Sequence, residues 1–209
     1  GESNATIDGG LGKAIPKSIN HRKLVALVKA YRRHWKDDTL PFYHVQLPGL
    51  NRDWVLFREM QHDITKELNH VGMAVTIDVG HPSNVHPPNK KPVGERLARL
   101  ALNKTYGRDI LCHGPEPNTH TIHQGIVTIR FHHADGLTTS DGKRPIAFEL
   151  AGADGVFHPV KARIFKNSIV LTRAQIKQPI SVRYAWANDP DTNLVNGAGL
   201  PTAPFHFQF

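Results

Sequence analysis

Gly72-Met73-Ala74-Val75-Thr76-Ile77-Asp78-Val79 is the stretch that decides the fold. It is short, almost wholly apolar and rich in β-branched residues. Apolar residues on both faces mark a strand covered on both sides, as in a parallel sheet between helices. Helical patterns flank it. Residues 53–70 carry Val55, Met60, Ile64 and Leu68 at helical spacing, broadened by Leu56 and Phe57. Residues 89–106 carry Val93, Leu97, Leu100 and Ala101, and Gly107 stands ready to end that helix. Further upstream, residues 18–36 show an apolar stripe of Leu24, Leu27, Val28, Tyr31 and Trp35, with Ser18 as the expected N-cap. Phe42-Tyr43-His44-Val45-Gln46-Leu47 reads as a second strand, closed by Pro48-Gly49.

This helix–strand–helix–strand–helix order is that of an open α/β sheet. Two strands and three helices do not finish one. A strand buried on both faces needs neighbours, so a partner is expected from an upstream segment of the same gene, a second chain, or the C-terminal region.

Residues 108–209 read differently. Val127, Ile129 and Phe131 alternate, as do Phe205, Phe207 and Phe209. Short strand patterns recur near 147–150, 160–164, 168–171 and 180–186, with Lys166-Asn167 as a tight hairpin turn. About seven strands in this stretch point to a small sandwich. The expected division is therefore an α/β part at 1–107 and a β-rich part at 108–209.

Composition narrows the function classes. The 209 residues hold 26 Lys+Arg against 18 Asp+Glu, a formal charge of +8. The basic residues are spread out, and the densest group, Arg32 to Lys36, sits at a helix end where positive charge is favoured anyway. Nucleic acid is therefore not an expected partner. No run of 18 apolar residues exists, so neither a membrane-spanning helix nor a membrane partner is expected. The single cysteine, Cys112, excludes an internal disulfide and leaves the compartment open. His113, His120, His123, His132 and His133 crowd the start of the β region, but their spacings fit no standard zinc motif.

The chemistry is expected in the loop after the deciding strand. Asp78, His81 and His86 lie there among Pro82, Pro87 and Pro88. Open α/β sheets place their sites beyond the C-terminal ends of strands. An imidazole there can serve as a general base, its free pKa being near 6.5. The bland alternative is a surface histidine held by local hydrogen bonds.

Gly1-Glu2-Ser3-Asn4 adds the second clue. It resembles the third conserved block of SGNH-type hydrolases, above all the sialate O-acetylesterase and carbohydrate acetylesterase branch. Further matches follow in order through Val45-Gln46-Leu47, Arg58-Glu59-Met60-Gln61, Met73 to Asp78, Val85-His86-Pro87 and Phe148 to Gly155. The resemblance implies the C-terminal part of a three-layer α/β/α SGNH domain followed by a small all-β sandwich-like domain. It implies serine-type, metal-independent hydrolysis of an acetylated sugar, with sialic acid and xylan as candidates, no cofactor, and a secreted or periplasmic setting. Asn4 matches the amide donor of the oxyanion hole, and His86 matches the histidine that exchanges a proton with the serine. Glu2 and Arg58 match positions that line or brace the site.

Three departures accompany the likeness. The family's nucleophile block, Gly-Gln-Ser-Asn-Met, is absent, so the serine is expected from an N-terminal segment of the same precursor or a second chain. Ser83 stands where the pattern has an aspartate three residues before the histidine. The triad acid is then Asp78, a residue off this chain, or replaced by a backbone carbonyl. The glycine-rich residues 6–16 depart from the usual helix and read as a rim loop. The competing reading is a non-catalytic carbohydrate-binding protein that has kept the esterase fold.

Overall fold

A computed structural model describes residues 2–5 and 15–209. Most of the glycine-rich segment expected as a rim loop, residues 6–14, therefore lies outside the described residues. The chain divides into two compact units. The first comprises Gly1–Cys112 together with Ala187–Asp189, and the second comprises His113–Trp186 and Pro190–Phe209.

The first unit is mixed α/β. After α1 (Glu2–Ala5) come α2 (Lys17–Trp35), β1 (Phe42–Val45), α3 (Val55–Glu67), β2 (Val71–Ala74) and α4 (Lys91–Leu100). β1 and β2 pair in parallel, from Phe42 against Val71 to Val45 against Ala74. None of the other described strands joins this two-stranded sheet, which removes the C-terminal region as its missing neighbour. The deciding stretch is strand only as far as Ala74, and Ile77–Val79 turn into a short 3-10 segment. Asp78 thus sits in a turn beyond the strand rather than at its end.

Two local expectations change. Ser18 lies inside α2, whose N-cap is Pro16 with no side-chain cap. Of the apolar stripe on α2 only Val28 is buried, whereas Leu27, Tyr31 and Trp35 are 46%, 49% and 65% exposed. Helical spacing identified a face, but no described residue covers most of it. On α3 the stripe behaves as expected, with Val55, Met60 and Ile64 buried. The expected third helix is α4 followed by a π-helical segment, Ala101–Thr105, ended by Gly107 at φ +65°. Residues 108–112 fold back on it: Asn103 Nδ2 donates to the carbonyls of Arg108 and Ile110, and Cys112 Sγ to Asn103 Oδ1.

The second unit is a β-sandwich. β3 (Glu116–His123), β4 (Ile126–His132), β9 (Ser168–Thr172) and β8 (Lys161–Phe165) form one antiparallel sheet in the order β3-β4-β9-β8. β12 (Phe205–Gln208), β10 (Ser181–Tyr184), β6 (Phe148–Ala151) and β7 (Phe157–Pro159) form the other. The pair β5 (Thr138–Thr139) and β11 (Leu194–Val195) stands apart. One apolar core joins the inner faces of both large sheets, with Val127, Ile129, Leu150, Ile169, Leu171, Val182 and Tyr184 among its members. Alternation places these residues inward.

His44 on β1 adds a pH dependence to this fold. Its Nε2–H donates to the Gln61 carbonyl at 3.1 Å, and its Nδ1 is buried with no partner among the described residues. Burial pushes its pKa down from 6.5 to about 4, and the neighbouring His62 adds to that. As pH falls from 6.5 toward 4, the unfolded chain takes up a proton that the folded chain refuses. Stability attributable to His44 is therefore lost on acidification, by about 3 kcal/mol at most. Urea unfolding at pH 7 and pH 4.5 is expected to show a smaller acid loss in His44→Phe than in the parent. Equal losses would contradict this.

Candidate active site

The site is built on α3, whose side chains hold the segment just after β1. Arg58 is fully buried. Its Nε donates to Leu47 O at 3.1 Å, Nη1 to Ala187 O at 2.8 Å, and Nη2 to Pro48 O at 3.0 Å and to Asn188 O. Burial pushes its pKa down to about 10, which leaves it a cation at neutral pH. Three residues along the same helix, Gln61 donates Nε2–H to Val45 O and accepts Leu47 N–H on Oε1, both at 2.8 Å. Residues 45–48 are thus fixed by side chains where no strand follows.

A close approach passes this order on to the histidine loop. A Cβ on Gly80 would stand 2.2 Å from Gly49 O and 2.5 Å from Gly49 N, so only glycine fits there. The contact is completed by His81 N–H on Gly49 O at 3.1 Å and Asn51 N–H on Pro82 O at 3.1 Å. The loop then organises itself. His81 Nδ1 accepts the N–H groups of Ser83 and Asn84 at 3.2 and 3.1 Å, and Asn84 Oδ1 accepts that of His86 at 2.9 Å. His81 therefore shapes the loop, and replacing it would disturb the segment that carries His86.

His86 itself is exposed, and its ring makes no hydrogen bond among the described residues. It lines a cleft of about 310 Å³ with Gln46, Leu47, Thr76, Lys90 and Val93. The cleft lies beyond the C-terminal ends of both parallel strands, where open α/β sheets bind ligands. Val85, just before His86, packs against an apolar cluster of Ala5, Leu47, Leu50 and Trp54. Ala5 follows Asn4 in the short helix α1. One cluster therefore anchors the segments that carry Asn4 and His86. Asn4 is exposed, and its backbone carbonyl accepts Asn20 Nδ2–H at 2.8 Å. The side chain of Glu2 lies outside the described residues.

The structure does not bring Asp78 to His86 as a hydrogen-bonded pair. Arg96 grips its carboxylate with both Nη atoms at 2.7 and 2.6 Å, and also donates to Val75 O at 2.8 Å. This bidentate pair ties α4 to the turn after β2. Arg58, expected to line or brace the site, has its guanidinium hydrogen-bonded, among the described residues, to backbone carbonyls alone. Among the described residues no group of three or more His, Cys, Asp or Glu side chains is arranged to hold a metal ion.

Sequence reading gave Gln46 no role. Its backbone is locked, with its N–H on Ala74 O at 2.9 Å and its carbonyl accepting Thr76 Oγ1–H at 2.5 Å. The residue is 1% exposed, yet neither amide atom has a partner among the described residues. Such a group costs about 1–3 kcal/mol. A polar residue ending an apolar strand was the available signal. Gln46→Leu is therefore expected to leave stability unchanged or raise it. Gln61→Leu, which removes an amide engaged at both ends, is expected to lose at least about 1 kcal/mol. Urea denaturation of the two variants checks the contrast, and equal losses would contradict it.

No family model and no curated protein matches the sequence. Among solved structures, the chain is similar to a novel carbohydrate acetylesterase from Xanthomonas citri, at 33% identity and a TM-score of 0.88. The likeness covers 99% of this chain and 48% of the other. The chain thus shares its mixed α/β region and following β-rich region with a carbohydrate esterase, and spans about half that protein's length.

Proposed function

We propose that this chain is the histidine-bearing part of a serine-type carbohydrate O-acetylesterase. The observation that carries this reading is the likeness, over 99% of the chain, to a carbohydrate acetylesterase. The position of His86 on a cleft beyond two parallel strand ends supports it. The SGNH three-layer arrangement and a sialate or xylan-type acetyl ester as substrate belong to the same proposal. So does a secreted or periplasmic setting.

In this mechanism His86 takes the proton from a serine hydroxyl as the oxygen attacks the acetyl carbonyl. It returns the proton to the leaving sugar oxygen, and repeats the exchange with water to release acetate. The serine comes from an N-terminal segment of the same precursor or from a second chain. The exposed apolar face of α2 and the two-stranded sheet offer that segment a surface. Asn4 donates its side-chain amide to the oxyanion, where negative charge grows in the transition state. Because Asp78 is held by Arg96, the group orienting His86 is an acid outside this chain or a backbone carbonyl in place of one.

The test is acetate release by the protein isolated with its natural partner segment. His86→Ala is expected to lower kcat by about 10³-fold or more, since removing a triad member leaves only oxyanion and binding contributions. His123→Ala, in the exposed strand β3, replaces an imidazole at no cost to the cleft and is expected to retain activity. Full activity in His86→Ala would overturn the assignment and favour a carbohydrate-binding protein. Asn4→Ala is expected to lower kcat by about 10²-fold with KM little changed, the lower range for one oxyanion donor. A change confined to KM would make Asn4 a sugar contact instead.

A further inference from the structure

The second unit holds a cavity that the esterase reading does not use. It measures about 600 Å³, within the range of small-molecule sites. Its walls are the turn between β3 and β4, the β7–β8 junction, and the loop after β9. Lys161, Arg173 and Lys177 line it, and among the described residues no Asp or Glu does. Three cations around one cavity repel one another, and an anion placed among them removes that repulsion.

The walls are fixed by the backbone. Gln124 and Gly125 form the turn with φ of +50° and +77°. A Cβ on Gly125 would stand 3.0 Å from Lys177 O and 3.2 Å from Ile176 O, so the turn is seated on that loop. The loop is closed by Ile176 N–H on Arg173 O at 3.1 Å. Arg173 Nη1 donates to Pro159 O at 2.7 Å, which pins the guanidinium, and its Nε is buried with no acceptor among the described residues. Its Nη2 makes no hydrogen bond among the described residues, so a cationic donor that lines the cavity is left for an acceptor from outside.

We infer that this cavity binds an acidic sugar, a pyranose bearing a carboxylate. The cations provide for the carboxylate, with Arg173 as the planar partner. The remaining lining suits a sugar ring better than a bare anion. Gln124 and Gln175 each offer a donor and an acceptor for neighbouring hydroxyls. Ile126, Val160 and Ile176 give apolar surface for the C–H face of the ring. The cavity volume also exceeds what a single small anion fills. The anionic half of this inference stands on the charges alone, and the sugar half rests on the proposed carbohydrate function.

Titration of the isotope-labelled protein, followed by amide NMR, tests it without reference to esterase activity. Sodium glucuronate is expected to shift the amides of Gln124, Gly125, Lys161 and Arg173, with glucose and sodium acetate each at least ten-fold weaker. Arg173→Gln is expected to weaken glucuronate binding at least ten-fold. Lys161→Gln, an exposed change that spares the fold, is expected to weaken it several-fold. Glucose binding as well as glucuronate would remove the anion. Acetate or inorganic phosphate binding as well would reduce the site to a bare anion site and overturn the sugar. Shifts elsewhere only, or binding unchanged in both variants, would overturn the site itself. An inactive esterase with intact glucuronate binding would fail the proposed function and leave the site standing.

Discussion

The first unit depends on one buried charge. Arg58 lies fully out of water, and four carbonyl groups from two stretches of the same unit converge on it. A desolvated guanidinium without acceptors is strongly unfavourable, so these carbonyls cannot drift apart without exposing that cost. Leu47 and Pro48 follow β1, whereas Ala187 and Asn188 arrive from far along the sequence. With Gln61 three residues further along α3, Arg58 sets the course of the chain where it leaves the sheet. Gly49 is then pressed to Gly80, and the loop that carries His86 starts from a fixed point.

This arrangement separates side chains that build the site from those left for use. Arg58, Gln61, Arg96, Asp78 and His81 are all consumed by hydrogen bonds inside the unit. The ring of His86 and the amide of Gln46 are not, among the described residues, and both face one cleft. The contrast between the two glutamines is instructive. Gln61 acts as a substitute for backbone pairing. Gln46 keeps a rigid backbone and a buried amide with no hydrogen-bond partner among the described residues.

Much of this was legible in the sequence, for physical reasons that differ from element to element. Val127, Ile129 and Phe131 alternate because one face of β4 is core, and Lys166-Asn167 joins β8 to β9 as its turn chemistry implies. β3 escaped because it is an exposed strand at a sheet edge, where Asn118, His120 and His123 give no apolar alternation. The stripe on α2 was legible as a pattern but not as burial, since periodicity reports a face and not what covers it. Asp78 was read as standing near the end of the strand, which stops earlier, at Ala74, and its partner was not readable. Arg96 reaches it from a helix 18 positions later, and no local spacing announces such a pair. Arg58 was found through resemblance. Its four acceptors are backbone groups, which carry no sequence signal.

In the proposed function, His86 activates a serine lying outside residues 1–209. Labelling the naturally isolated protein with a serine-reactive fluorophosphonate, followed by peptide mass spectrometry, addresses it directly. The expected result is an adduct on a serine outside this chain, formed in the parent and lost in His86→Ala. An adduct on Ser3 or Ser83, or labelling indifferent to His86, would contradict it.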